Sequence, residues 1–332
     1  MHHRTAGLIA GLAIVAALPA LADTTKGVDP RITVPAEREA MFEANGGATD
    51  RVVGGNLADP GEWPFQVGLL ATERLTGERQ SQFFAQFCGG SLIAPQWVLT
   101  AAHCVTDSDG QVYPASSNTA LLGATNLFEG NRQEIEQVIV HEAWDPSAID
   151  NDVALLKLKV PVNGPVVKLD DGTATTDSGS ATVIGWGLMM NGTTPVDLLE
   201  GQIDLVPNST CNAGLKGYAA GDFAAALDLV SFHKVKDGTI ESALQTIAAG
   251  LLDPLTDGMM CAGTKSGQIG ACHGDSGGPL LVSTANGPVQ VGVVSWGGGP
   301  AGSKMYCGFE DAYGVYARVS KFRDWIRQKS GV

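Results

Sequence analysis

With 332 residues, 44% of them hydrophobic and 17% charged, the chain is long enough for one large or two small domains with a real core. Its net charge of −14 comes without a basic stripe, which excludes nucleic acid as an expected partner and makes the acidic surface a matter of solubility. No period of the kind that marks repeat proteins runs through it.

Residues 1–22 read as a secretory signal: Arg4 supplies the positive end, Leu8 to Leu18 the apolar centre, and Ala20-Leu21-Ala22 a small-x-small cleavage site. The apolar centre falls short of the ~20 residues that span a bilayer, so the mature form is expected to be secreted, extracellular or periplasmic, without a membrane span. Residues 23–51 are polar and contain Pro30 and Pro35. They read as a propeptide with little structure of its own; a short helix from Pro35 to Glu43 would not survive in isolation. Arg51-Val52-Val53-Gly54-Gly55 follows, and by itself reads as a strand with a turn.

Short apolar runs bounded by Gly and Pro, from Trp63 to Leu70 and from Phe87 to Leu99, predict strands leading to Ala101-Ala102-His103-Cys104. Residues 72–86 between them read as a long surface loop. Asp152 stands between Asn151 and the apolar run Val153-Ala154-Leu155-Leu156, so its carboxylate can be buried. Val160 to Lys168, with Pro161 and Pro165, reads as a connection between halves, and Ser180 to Gly187 as a further strand. Asn191 and Asn208 open formal glycosylation triplets. Between Gly214 and Thr256 the chain is rich in Ala; Ile240, Leu244, Ile247 and Leu251 recur at helical spacing, and Asp253-Pro254 would end the helix. Near the C-terminus Phe322, Trp325 and Ile326 share one helical face.

The densest chemistry lies in Gly274-Asp275-Ser276-Gly277-Gly278-Pro279, just before the apolar Leu280-Leu281-Val282. Glycines let the backbone turn sharply, which exposes a serine hydroxyl and lets neighbouring N–H groups converge on a substrate oxygen. A serine needs a base, and the base an orienting group. With Leu99-Thr100-Ala101-Ala102-His103-Cys104 and Asn151-Asp152-Val153-Ala154-Leu155-Leu156 upstream, the order is His, Asp, Ser, and the chain from Val52 to about Gln328 resembles the trypsin/chymotrypsin family of serine endopeptidases.

The resemblance implies an all-β fold of two six-stranded antiparallel barrels with a C-terminal helix. The first barrel would run over about 52–165, the second over about 166–318 and the helix over about 319–329, with a helical insertion at about 214–256. It implies Ser276 as nucleophile, His103 as base, Asp152 as orienting group, and the N–H groups of Gly274 and Ser276 as oxyanion hole. Cleavage after Arg51 would free the Val52 ammonium to pair with Asp275. Six cysteines permit fifteen pairings; the resemblance suggests Cys88–Cys104, Cys211–Cys261 and Cys272–Cys307. No cofactor and no metal is expected: Ala124 and Arg132 stand where relatives that bind calcium carry acids, and Glu129, Glu134 and Glu136 fall short of six to eight oxygens in one place.

For specificity the resemblance assigns a pocket to Gly270, Ala271, Ser295, Trp296, Gly297 and Gly314, with His273 as a substrate contact at its rim. Gly270 stands where trypsin-like members carry Asp, so the pocket is expected to take a large apolar side chain. Glu310 or Asp311 reaching in from an unusual position is the alternative, giving Arg/Lys specificity. A catalytically silent binding protein on the same fold is a further alternative. Expected partners are protein or peptide substrates, protein inhibitors and an activating trypsin-like protease. The insertion reads either as a lid that selects substrates or as a helical hairpin on the surface.

Overall fold

The computed structural model describes residues 29–44, 55–189, 193–230, 239–300 and 307–332. The signal region, the Arg51-Val52 junction and Asn191 lie outside the described residues.

Helix α1 (Pro30–Ala44) comes first, then strands β1 (Asn56–Leu57) and β2 (Gln66–Ala71), helix α2 (Ser81–Ala85), and strands β3 (Gln86–Ala94), β4 (Trp97–Thr100), β5 (Asn118–Leu122), β6 (Asn131–Val140) and β7 (Ala154–Leu158). Strands β2 to β7 close a barrel in the order β2-β3-β4-β7-β6-β5, every pairing antiparallel. All six residues of β2 are buried, because both of its faces are covered. Val67, Leu69 and Ala71 belong to the main core with Phe87, Leu99 and Leu155, while Leu70 points the other way onto Phe83, Leu121 and Trp186.

The second half contains β8 (Lys168–Leu169), β9 (Ser180–Gly185), β10 (Leu199–Val206), helices α3 (Asn208–Val230) and α4 (Thr239–Gly250), β11 (Met259–Gly263), β12 (Pro279–Thr284), β13 (Gly287–Gly297), β14 (Gly314–Arg318) and helix α5 (Val319–Ser330). Strands β9, β10, β11, β14, β13 and β12 close a second antiparallel ring, and β1 adds to it on β10. Val183, Leu205, Met260, Leu280, Val291 and Tyr316 form its core. Helix α5 buries Val319, Phe322, Trp325 and Ile326 as its periodicity predicts, and Gly331, at φ 79°, ends it in the left-handed conformation. The chain is therefore two closed six-stranded antiparallel barrels with a C-terminal helix.

Two segments depart from the sequence expectation. Residues 72–80 run over the surface as expected, but 81–86 do not: α2 turns Gln82 and Phe83 inward, to 1% and 2% exposure. Gln82 donates to the carbonyls of Leu127 (2.5 Å) and Glu129 (2.9 Å), and its Oε1 accepts from Arg132 Nε at 2.8 Å.

The other is the segment before Arg51, which is helical from Pro30 despite its two prolines. Pro30 occupies the first helical position, where a missing N–H costs nothing. Asp29 precedes it, and its Oδ1 accepts the Arg31 N–H at 2.9 Å. Docking on the first barrel then supplies what the isolated segment lacks: Arg31, Val34, Pro35 and Arg38 are buried.

Candidate active site

After β4 the chain makes a single tight turn, Ala102–Cys104, which carries His103. Ala101, Ala102 and Cys104 are fully buried, and Cys104 is bonded to Cys88 on β3, so the turn is anchored on both sides of the histidine. Asp152 enters just ahead of β7 and is 1% exposed. Its Oδ1 accepts the His103 backbone N–H at 2.9 Å. Its Oδ2 accepts the His103 Nδ1–H at 2.7 Å and the Ser295 hydroxyl at 2.5 Å. An ionised carboxylate only accepts, so Nδ1 must carry the proton and Nε2 is the free lone pair of the neutral ring.

Burial opposes charge on both groups, and their mutual attraction overrides it. Burial disfavours the His103 imidazolium, but the Asp152 charge and hydrogen bond raise its pKa above the ordinary histidine value. Burial likewise disfavours the Asp152 carboxylate, yet His103 and the Ser295 hydroxyl hold its pKa below the ordinary value. Buried Asp152 thus makes His103 a stronger base than free imidazole.

Ser276 lies in the turn between Cys272 and β12. Gly274 and Gly277 adopt φ of 98° and 81°, which side chains rarely tolerate. A Cβ on Gly277 would also stand 2.2 Å from Thr100 Oγ1. The turn is tied to both barrels: Ser276 O accepts from Gly89 N–H at 2.7 Å, and Gly277 N–H donates to Val294 O at 2.8 Å. Cys104 Sγ lies 3.5 Å from Ser276 O and 3.8 Å from His103 Nε2, so the Cys88–Cys104 bridge borders both residues. The His103 side chain donates from Nδ1 to Asp152, while its Nε2 faces Cys104 Sγ.

Asp275 points away from this cleft. It is 8% exposed and accepts from the N–H groups of Gly187 (2.7 Å) and Cys272 (2.9 Å). Burial pushes its carboxyl up to about 6, against the pull of those two N–H groups and the Arg38 charge. Beside it is a cavity of about 60 Å³ lined by Gly55, Gly187, Glu200, Gly270, Ala271 and Asp275, among others.

Gly270 and Ala271 border the Asp275 cavity, whereas Ser295, Trp296, Gly297 and Gly314, on β13 and β14, lie outside its lining. His273 meets Glu37 of α1, Nδ1 to Oε1, at 3.5 Å. All three expected disulfides are present.

The insertion packs on the same wall. Leu215 of α3 and Trp296 both pack against one apolar cluster, and a Cβ on Gly298 would stand 2.3 Å from Leu215 Cδ2. The Tyr218 hydroxyl donates to the Glu310 carbonyl at 2.5 Å.

Sequence reasoning missed two residues around the site, Arg38 and Gln86, and the bond from Ser295 to Asp152. Arg38 is fully buried and donates to Gln86 Oε1 and to the Trp186 carbonyl. The signal was the spacing of Arg31, Val34, Pro35 and Arg38 at i, i+3, i+4 and i+7. Two of the four are charged, so hydrophobic periodicity passes over it.

Comparison with known proteins agrees with this geometry. The family described as trypsin matches residues 52–326. A tryptase of Mus musculus is 33% identical over 306 residues, which is 89% of this chain and 95% of the tryptase. Transmembrane protease serine 11G of Mus musculus is 32% identical over 289 residues, covering 85% of this chain but 56% of that protein. The suppressor of tumorigenicity 14 protein homolog of Bos taurus is 32% identical over 295 residues, 85% of this chain and 28% of its own length. No helix among the described residues is long and apolar enough to cross a membrane.

Proposed function

Since the chain belongs to the trypsin family of serine endopeptidases, we propose that it is the secreted zymogen of such an enzyme, with Ser276, His103 and Asp152 as its triad and a preference for large apolar residues before the cut. The observation that carries the triad is the buried Asp152 holding both the backbone and Nδ1 of His103. Ser276 Oγ attacks the scissile carbonyl while His103 Nε2 takes its proton. The N–H groups of Gly274 and Ser276 hold the oxyanion. Collapse expels the amine, which takes the proton from His103, and leaves an acyl ester on Ser276. Water, deprotonated by the same nitrogen, then attacks the ester and releases the acid. Each oxyanion donor contributes ~3–4 kcal/mol in such sites.

In this reading activation is cleavage after Arg51 by a trypsin-like protease. Gly55 already lines the cavity beside Asp275, and Val52 is three residues earlier, within ~10 Å of extended chain. The Val52 ammonium is the partner that the buried carboxyl of Asp275 needs. Labelling of the Val52-initiated protein by a fluorophosphonate, lost in Ser276→Ala, is expected; no labelling would favour a silent binding protein on this fold.

The apolar preference rests on the uncharged Gly270 and Gly297. The Arg/Lys alternative is disfavoured because Glu310 is exposed and the Asp311 carboxylate accepts from the Tyr313 hydroxyl at 3.5 Å. Values of kcat/KM on peptides differing only before the cut decide it. Preference for Phe, Tyr, Leu or Met is expected, and preference for Arg or Lys would defeat it.

A further inference from the structure

Helix α1 lies on the wall of the cleft that holds the nucleophile turn. Three of its four buried residues, Arg31, Val34 and Arg38, have contacts that reach segments around the site. Val34 Cγ1 is 3.4 Å from where a side chain on Gly274 would begin. The Arg31 guanidinium stacks 5.0 Å from the Phe87 ring centre and 4.9 Å from that of Tyr113, and donates to Asn118 Oδ1 at 2.5 Å. Asp29, which caps the helix, accepts from the Tyr113 hydroxyl at 2.5 Å, and Glu37 faces His273. Arg38 reaches deepest: it stacks on Phe83, donates to Gln86 Oε1 and to Trp186 O, and its charge is felt by Asp275. Gln86 then passes the contact on, since its Nε2 donates to the Gly274 carbonyl at 2.9 Å.

An unpaired guanidinium is costly to bury. Here the groove offers it three acceptors, Gln86 Oε1, Trp186 O and, at 3.5 Å, Pro195 O, with an aromatic face and a nearby carboxylate, which is the chemistry of a built site for an arginine on a helix. The helix lies against Gly274, two residues before Ser276, and against Phe87, next to Cys88 of the bridge that borders Ser276. Gly274 is a donor of the proposed oxyanion hole, so in that reading a helix seated on it crowds the part of a substrate that continues past the scissile carbonyl. Residues 1–51 contain no cysteine, so no disulfide would hold the helix after cleavage at Arg51.

We propose that the groove formed by Gln86, Phe87, Trp186, His273 and Gly274 is a binding site for the helix 30–44, anchored by Arg38, and that the severed segment is a dissociable inhibitor acting in trans. The severing step rests on the activation reading above; the groove and its occupant do not.

The test uses the full chain cleaved at Arg51 by immobilised trypsin, separated from its leader, and a fluorescent synthetic peptide of residues 29–44. Saturable binding by anisotropy is expected, weakened at least about tenfold by Arg38→Ala in the peptide. The peptide should block substrates extended beyond the cut more strongly than chromogenic substrates that end there. No saturable binding up to about 1 mM peptide, or equal binding by the Arg38→Ala peptide, would overturn the proposal. Binding to a cleaved protein inert to fluorophosphonate would support the groove while sinking the proteolytic reading, so the two failures are separable.

Discussion

Gln86 Nε2 donates to the carbonyl oxygen of Gly274 at 2.9 Å, joining β3 of the first barrel to the nucleophile turn of the second. The same amide donates to Cys88 O at 3.0 Å and accepts from Arg38. Gln86→Leu in the full chain takes one acceptor from the buried Arg38 guanidinium, and a hydrogen bond to a charged group is worth about 1.5–3 kcal/mol. The full chain should therefore lose about that much more stability than the Val52-initiated chain, where Arg38 is gone. Urea midpoints at constant slope measure this, and equal losses in the two forms would contradict it.

Asp152→Asn should lower kcat about 10⁴-fold, because an amide in that place favours the wrong tautomer of His103. Ser295→Ala removes one hydrogen bond from Asp152 and leaves the His103 contact intact. It should cost about tenfold in kcat with little change in KM. Circular dichroism of both variants should match the parent.

The raised pKa of His103 sets the acid limb of kcat/KM. Activity should rise as pH passes upward through a midpoint above 6.5, where Nε2 loses its proton. For stability the signs differ group by group. The His103 contribution is present below 6.5 and lost as pH rises through the folded value. That of Asp152 is present above 3.8 and lost as pH falls through its lowered value. Asp275, pushed up to about 6, favours the folded state while protonated and loses that advantage as pH rises from 3.8 to about 6. Carboxyl NMR should find Asp275 titrating near 6 in the uncleaved chain and well below that once the Val52 ammonium pairs with it; an unchanged titration would refute that pairing.

Gly187 offers a steric test of the same carboxylate. A Cβ there would stand 2.3 Å from Asp275 Oδ2 and 2.4 Å from its Cγ. Gly187→Ala should displace Asp275 and with it the Gly274 turn, costing at least about 100-fold in kcat/KM. Overpacking of this kind typically costs about 1–3 kcal/mol, so the barrels should still form.

Leu215→Ala in α3 should change the ranking of residues before the cut, since Leu215 lies against Gly298 and packs on the same apolar cluster as Trp296. A shift of about fivefold in the kcat/KM ratio between Phe and Leu substrates is expected, the scale of one or two methylenes in a pocket wall. An unchanged ratio would leave the insertion as surface decoration.

The strand runs Trp63–Leu70 and Phe87–Leu99, the helix α5 and the chemical groups at His103, Asp152 and Ser276 were legible in the sequence because each rests on local cues, while the two barrels were an expectation from the family resemblance. Glycines mark the turn at 274–278, and the apolar run from Val153 predicts the burial of Asp152. What surrounds the site was not legible. Gln82, Gln86, Arg31 and Arg38 are polar, and burial of polar side chains depends on acceptors supplied from positions far away in sequence, such as Trp186 O for Arg38 and Leu127 O for Gln82. The segment before Arg51 looked unstructured for the same reason: alone it has no acceptors for two arginines and too few turns to hold a helix. The sequence by itself determined the fold class and the order of the chemical groups. Only the tertiary structure decided that α1 docks against the Gly274 turn and that α3 lies against Gly298, because both outcomes depend on contacts that exist only after the barrels close.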